Sequence, residues 1–414
     1  MGHTALVLSG GGIKGAYEAG VARTLAERGV TPDVVVGISA GALNGAYIAR
    51  AVAEEAFTPE RIDAELIDMW ANRATMRDFF YTAEGEFSPG SLGHASVQHI
   101  LHRIGLDPFK KIPWVKLNLD ALLALRELML GRFTSLCSHG FIKEMLDHYL
   151  LPPTVIRRPV TFSIAVSDLL GTTQLENQTI STHHSHYETF RLGQEAVDMD
   201  YEALFEWMRT VIMASCSVPV VFPAIKMHLH GQERPSLYMD GGMIETSPIT
   251  QAIALDPRVD TVIVVLAATI LGEPSKEPST FLQMLGRVFS IIAGRYMIQN
   301  FHDVRQMNER ILAMRSVLDR DRDGQFLDNE RNDALCRAAG FQSLASFREK
   351  RYIRLIPIAP TQPLPGGIFS ALYYPELKQL YLERGIEDAR HALHTCAAAP
   401  CELTEAGMLA TAGR

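Results

Sequence analysis

Between Thr4 and Leu8 the chain carries an apolar run, TALVL, that leads straight into Ser9 and three glycines. A short run of this kind without polar alternation fits a strand covered on both faces, as in a parallel sheet. From Gly15 to Arg28 the apolar residues recur at helical spacing and the pattern stops at Gly29, which predicts a helix closed by glycine. The pattern then repeats, with DVVVGI from Asp33 to Ile38 predicting a second strand and Gly41 to Val52 a second helix. Strand, helix, strand, helix in this order predicts a parallel sheet with right-handed crossovers.

From Pro59 to about Leu151 the pattern changes to helical segments punctuated by Pro and Gly, including Leu119 to Leu130. This stretch, 59–151, reads as a helical insertion or cap over the sheet. Strand patterns return at Val160 to Val166, Leu237 to Met239, Thr261 to Ala267 and Tyr352 to Ile358, with a helix predicted from Tyr201 to Ala214. Residues 273–350 read as a second helical region. Within it, Thr280 to Met297 is apolar around much of its circumference, with Arg287 and Arg295 interspersed. That pattern fits a core helix, with a lid or interfacial helix as the alternative. No internal repeat or long linker divides the chain, so one catalytic domain over 1–400 and a tail over 401–414 are expected.

Composition narrows the class. The chain of 414 residues is 47% hydrophobic and 21% charged, enough apolar material for a sizeable core. The formal net charge of -8 gives no general attraction for phosphate backbones, so nucleic acid is not expected as a partner. Five scattered cysteines without C-x-x-C spacing fit a reducing, cytoplasmic setting and no disulfide scaffold. The start MGHTALVLSGGG reads as a first strand and not as a signal peptide. Leu6 also stands where a myristoylation motif needs Ser or Thr. Apolar runs such as Val262 to Leu271 are about half the ~20 residues of a membrane span, so any membrane contact is expected to be peripheral.

The chemistry concentrates at the ends of the first two strands. Gly10-Gly11-Gly12-Ile13-Lys14-Gly15 opens a helix. Successive glycines let backbone N–H groups converge on one anion, aided by the positive end of the helix. Gly10, Gly12 and Gly15 also satisfy G-x-G-x-x-G, so a nucleotide-binding oxidoreductase is one reading; it wants an acid at the end of the second strand, whereas Asp33 stands at its start. At that end the sequence has Gly37-Ile38-Ser39-Ala40-Gly41, the G-x-S-x-G pattern of a sharp strand-to-helix turn that exposes a serine nucleophile. Ser39 is then the nucleophile, and the amides of Gly11, Gly12 and Ala40 form the oxyanion hole. The partner is Asp240 in Asp240-Gly241-Gly242, a carboxylate placed to take the serine proton directly.

These motifs resemble those of the patatin-like phospholipase family, bacterial branch. The family's G-G-G-x-[RK]-G loop, G-x-S-x-G elbow and D-G-[GA] acid are matched by Gly10 to Gly15, Gly37 to Gly41 and Asp240 to Gly242. Val166 to Leu169 leading to Gly171, and Ala214 to Pro219 leading to Phe222 to Ala224, resemble further family blocks. The similarity runs from about Ala5 to Val265, with a weaker echo from Tyr352 to Leu393. The resemblance implies a three-layer α/β/α sandwich with a mostly parallel central sheet, the fold shared with acyl-carrier-protein acyltransferase-like lysophospholipases. It implies a Ser39–Asp240 dyad without histidine, hydrolysis of fatty-acyl esters of phospholipids, lysophospholipids or neutral lipids, and no cofactor for the chemistry. A non-catalytic lipid-binding or regulatory module is the alternative within this reading. Two positions depart from the pattern: Lys14 replaces the commoner Arg, and in the continuation D-G-G-x-x-x-N-x-P this chain has Thr246 at the Asn position.

Other stretches carry weaker signals. Asp319, Asp321, Asp323, Gln325 and Glu330, with Gly324 at the turn, fit the twelve-residue calcium-loop pattern, so a structural calcium ion is a candidate there. Against it, Leu327 occupies a position that often supplies a polar ligand, and Arg331 follows Glu330. His183, His184 and His186 read as a polar loop, and His228 and His230 as an alternating strand, in preference to a metal site. Lys14 is expected to be structural or to position a phosphate, and Asp168 to organise loops near the site.

Overall fold

The computed structural model describes residues 2–414 apart from 73–138, 154, 176–177, 182–184, 194–199, 233, 246, 268–280, 368–369, 399–400, 404–408 and 412–414. The predicted helix from Leu119 to Leu130, as well as His183, His184 and Thr246, lies outside the described residues.

The alternating elements form as the pattern predicts: β1 (His3–Leu8), α1 (Gly15–Glu27), β2 (Val34–Gly37) and α2 (Ala40–Ala53). Further along come α3 (Gly140–Tyr149), β3 (Val160–Asp168), β4 (Ser185–Leu192), α4 (Tyr201–Ser215), β5 (Ile225–Met227), β6 (Ser236–Asp240), α5 (Ile249–Leu255) and β7 (Val259–Val265). The chain continues through α6 (Phe281–Val317), α7 (Glu330–Ala338), α8 (Leu344–Arg348), β8 (Arg354–Ile358) and α9 (Glu376–Ala398). The strands β8, β7, β1, β2 and β3 lie side by side and parallel, while β4, β5 and β6 join antiparallel.

The apolar runs are explained by burial on both faces, because successive strand side chains point to opposite sides. Leu6, Leu8, Val35, Phe162, Ile164 and Val265 pack with Tyr17, Tyr47, Phe205 and Tyr381 from α1, α2, α4 and α9. Their neighbours Ala5, Val7, Val34, Val36, Val262 and Val264 pack with Ile249 and Ala252 of α5 and Val304 of α6. The result is the expected three-layer sandwich. A separate small core joins Ile311, Met314 and Leu318 of α6 to Cys336, Phe341, Leu344 and Phe347.

On the first face α1 and α9 cross at a contact that two glycines permit. A Cβ on Gly20 would come 2.2 Å from the Leu382 carbonyl oxygen, and one on Gly385 would come 2.1 Å from that of Tyr17. The crossing is closed by the Tyr17 hydroxyl, which donates to Asp388 at 3.2 Å, while Asp388 also accepts from the Thr361 hydroxyl at 2.7 Å.

The described ends of the 59–151 segment are helical. The first end, at Trp70, is tied to α2 through its indole N–H, which donates to Asn44 at 2.8 Å. Asn44 in turn donates to Glu18 and to the Gly15 carbonyl.

Three expectations are corrected. His186 lies on strand β4 and not in a loop; only part of that strand is buried, which leaves its polar alternation easy to mistake for a loop. The segment read as a tail carries two short antiparallel strands, Cys401–Leu403 and Leu409–Thr411. Cys396 is disulfide-bonded, whereas Cys216 and Cys336 are free thiols.

Candidate active site

The sheet itself brings Ser39 and Asp240 together. Strand β4 pairs with β3 along one edge from Val160 to Ser167. The opposite edge of β3 is therefore shared, with β2 pairing over Thr161 to Ile164 and β6 over Val166 to Asp168. Strand β2 leaves that edge at Gly37, opposite Ile164, and two residues later the chain is at Ser39. Asp240, the last residue of β6, is paired to Val166, the point where β6 has taken over the edge. One strand's departing turn thus faces the other strand's end.

At Ser39 the backbone adopts φ 54° and ψ −125°, a conformation that a non-glycine residue holds only when its surroundings enforce it. Both residues are only 6% exposed, and the Ser39 hydroxyl lies close enough to the Asp240 carboxylate to favour its ionised form. Asp240 Oδ1 also accepts the Gly242 N–H at 2.8 Å. Burial pushes the Asp240 carboxyl up from its ordinary value near 3.8 to about 6, against the opposing pull of the Ser39 hydroxyl and the Gly242 N–H.

The glycine loop closes over this pair. A Cβ on Gly10 would lie 2.9 Å from the Ser39 Cβ, so the loop backbone passes directly over Ser39. Gly12 takes φ 58° as it opens a short 3₁₀ helix over Gly12–Lys14, a conformation in which a side chain would be strained. Gly12 and Ala40 are each the first residue of a helix, so their N–H groups have no intrahelical acceptor and remain available to an oxyanion. Lys14 is buried, and its Nζ donates to the Leu364 carbonyl at 3.3 Å, a structural use of the charge that ties the loop to the C-terminal part of the chain.

Three consecutive residues that sequence reasoning did not single out as functional hold the main chain of Ser39 and Asp240. The buried Ser215 hydroxyl accepts the Ser39 N–H at 2.9 Å and donates to the Ala165 carbonyl at 2.7 Å. The Cys216 thiol donates to the Ser39 carbonyl at 3.2 Å, and burial raises its pKa so that it stays a thiol. The Ser217 carbonyl accepts the Asp240 N–H at 3.0 Å. The Ser217 hydroxyl donates to Met213 and sits 2.7 Å from His139 Nε2, which leaves the imidazole as donor. His139 stacks on Phe222, and burial lowers its pKa to about 4, so it is neutral at physiological pH. The available signal was the family-like block Ala214 to Pro219, which marks the segment without assigning its contacts.

Other candidates stand apart from this centre. Asp33 sits at the far end of the first two strands, where it accepts the Thr4 N–H at 2.9 Å and pairs with Arg158 at 2.6 Å, out of reach of the glycine loop. Asp168 accepts from the Leu170 N–H and the Ser236 hydroxyl, joining the ends of β3 and β6 as a loop organiser would. In the 319–330 turn, Asp319 is held by Arg331 at 2.6 Å and Asp321 accepts the N–H groups of Asp323 and Gln325. The buried Asn332 side chain bridges the turn through Asp319 and Leu327. Among the described residues no three His, Cys, Asp or Glu side chains, those of Asp319, Asp321, Asp323 and Glu330 included, form a group that could hold a metal ion.

Comparison with known proteins bears on this arrangement. A patatin-like phospholipase domain-containing protein of Aspergillus oryzae is 50% identical over 54 residues, 13% of this chain and 8% of that protein. Patatin-like phospholipase domain-containing protein 7 of Rattus norvegicus is 37% identical over 98 residues, 23% of this chain and 7% of the relative. The matched stretches thus span less than a tenth of those relatives' lengths. Among solved structures, VipD from Legionella pneumophila is 15% identical, with 95% of this chain and 67% of that one covered at a TM-score of 0.34, too distant to bear on function. The patatin-like phospholipase family model matches residues 6–253, which include the glycine loop, the elbow and the acid, and with more than half of its length so matched the chain belongs to the patatin-like phospholipase family.

Proposed function

We propose that the chain is a serine acyl hydrolase that cleaves fatty-acyl esters of phospholipids, lysophospholipids or related lipids through an acyl-enzyme on Ser39. In this scheme the Ser39 hydroxyl attacks the ester carbonyl as Asp240 takes its proton. The developing oxyanion is met by the amides of Gly11, Gly12 and Ala40, a type of stabilisation that contributes ~3 kcal/mol per donor in acyl transfer. Collapse expels the alcohol, which leaves with the proton held on Asp240. Water then attacks the acyl-enzyme with Asp240 as base, releasing the fatty acid and restoring the serine. No cofactor enters these steps.

The observation that carries the reading is the burial of Ser39 and Asp240 together where the ends of β2 and β6 meet on β3, beneath the glycine loop. A peripheral meeting with the lipid surface fits two further facts. No described helix is long and apolar enough to cross a membrane, and α6 leaves Met284, Val288 and Ile291 exposed. The test is hydrolysis of a p-nitrophenyl acyl ester, followed by a panel of phospholipid, lysophospholipid and triacylglycerol substrates. Activity is expected to vanish in Ser39→Ala and in Asp240→Asn while both variants keep the native circular dichroism. Full activity in Ser39→Ala would overturn the proposal.

A further inference from the structure

The acid's loop is held from a part of the chain that the family match does not reach. After Asp240 the backbone turns tightly, with the N–H groups of Ile244 and Glu245 both donating to the Gly241 carbonyl, at 3.2 and 3.1 Å. Both carboxylate oxygens of Glu245 are then engaged. The Tyr187 hydroxyl on β4 donates to Oε2, and the Asn300 side chain on α6 donates to Oε1 at 3.4 Å. The same Asn300 amide donates to the carbonyl of the fully buried Ser247 at 2.6 Å. Asn300 therefore bonds the residues on either side of position 246, where the D-G-G-x-x-x-N-x-P pattern puts an amide side chain and this chain has Thr. Asn300 lies 47 positions beyond residue 253, where the matched family region ends.

We propose that Asn300 is a positioning residue for Asp240, fixing the turn from Gly241 to Ser247 so that the carboxylate stays against Ser39. The geometry gives a connected route: Asn300 and Tyr187 fix Glu245, Glu245 fixes Gly241 through its amide, and Gly241 leads into Gly242, whose N–H holds the Asp240 carboxylate. Its catalytic sense rests on the dyad reading above. A misplacement of the base acts on the chemical step and not on substrate binding, so its effect belongs in kcat.

The experiment compares the full chain with Asn300→Ala and with the isosteric Asn300→Asp, which removes the donor and keeps the volume if the alanine variant folds poorly. Hydrogen–deuterium exchange is read at residues 241–247 and at β1 as an internal control, beside kcat and KM on an acyl ester. The expected result is exchange at least about tenfold faster in 241–247 with β1 unchanged. With it goes a kcat lowered about 10- to 100-fold at a KM within about twofold of wild type. Unchanged exchange in 241–247, or a wild-type kcat despite a loosened turn, would overturn the proposal. Were the wild type itself to hydrolyse no ester, the dyad reading would fall, and the exchange measurement would still decide whether Asn300 clamps the turn.

Discussion

The base proposed at Asp240 must be ionised to work, and its surroundings resist that ionisation. With its carboxyl raised to about 6, the rate should climb with pH through a midpoint near 6 as the carboxylate forms, and flatten above it. The effect on stability has the opposite sense. Below 3.8 the group is protonated in both folded and unfolded chains and folding is indifferent to it. Between 3.8 and about 6 the unfolded chain ionises first, and the folded state loses ground. Above about 6 the loss is constant, at roughly 3 kcal/mol. Asp240→Asn should therefore abolish turnover yet raise the melting temperature more at pH 8 than at pH 5, and an equal rise at both pH values would contradict the assigned burial effect. Ser39 and Asp240 could be picked out from the sequence as candidates because glycines around them record backbone demands residue by residue. The raised carboxyl could not, since it depends on what buries it.

At the level of elements, the end of α4 does the work of alignment between two strands that never pair with each other. The Ser215 hydroxyl reaches a residue 176 positions away in the chain, and no periodicity in either segment advertises a contact of that separation. What the sequence did announce was the run of strands and helices, because apolar patterning follows burial directly. It missed β4, whose half-covered face blurs the alternation. Ser215→Ala would leave the Ser39 N–H and the Ala165 carbonyl buried without partners, a loss of about 1–3 kcal/mol for each group. The strained φ at Ser39 would then have less to enforce it. The expected outcome is a lower melting temperature together with a kcat reduced about tenfold or more beyond any unfolded fraction. Thermal denaturation beside steady-state kinetics separates the two effects. A destabilised variant with wild-type kcat would show that the elbow holds its shape without this hydroxyl.

Taken as a whole, the molecule is larger than its recognisable part. The family match ends at residue 253, yet β8 completes the parallel sheet and α9 covers α1, the helix that the glycine loop opens. The Leu364 carbonyl receives Lys14 from that loop, and Asp388 receives Tyr17 from the first turn of α1. The glycine loop proposed to bind the oxyanion is thus braced by the last quarter of the chain, through contacts that the motifs of the first half do not reveal. Gly385 tests this dependence because it carries no chemistry of its own. A methyl group there would meet the Tyr17 carbonyl at 2.1 Å, so Gly385→Ala must push α9 away from α1, at a cost of about 1–3 kcal/mol for overpacking. Ester hydrolysis should fall more steeply than the folded fraction, because displacing α1 shifts the amides at its entrance. If hydrolysis instead tracked the folded fraction, or the melting temperature did not change, α9 would be a cover over a self-sufficient catalytic unit and not one of its supports.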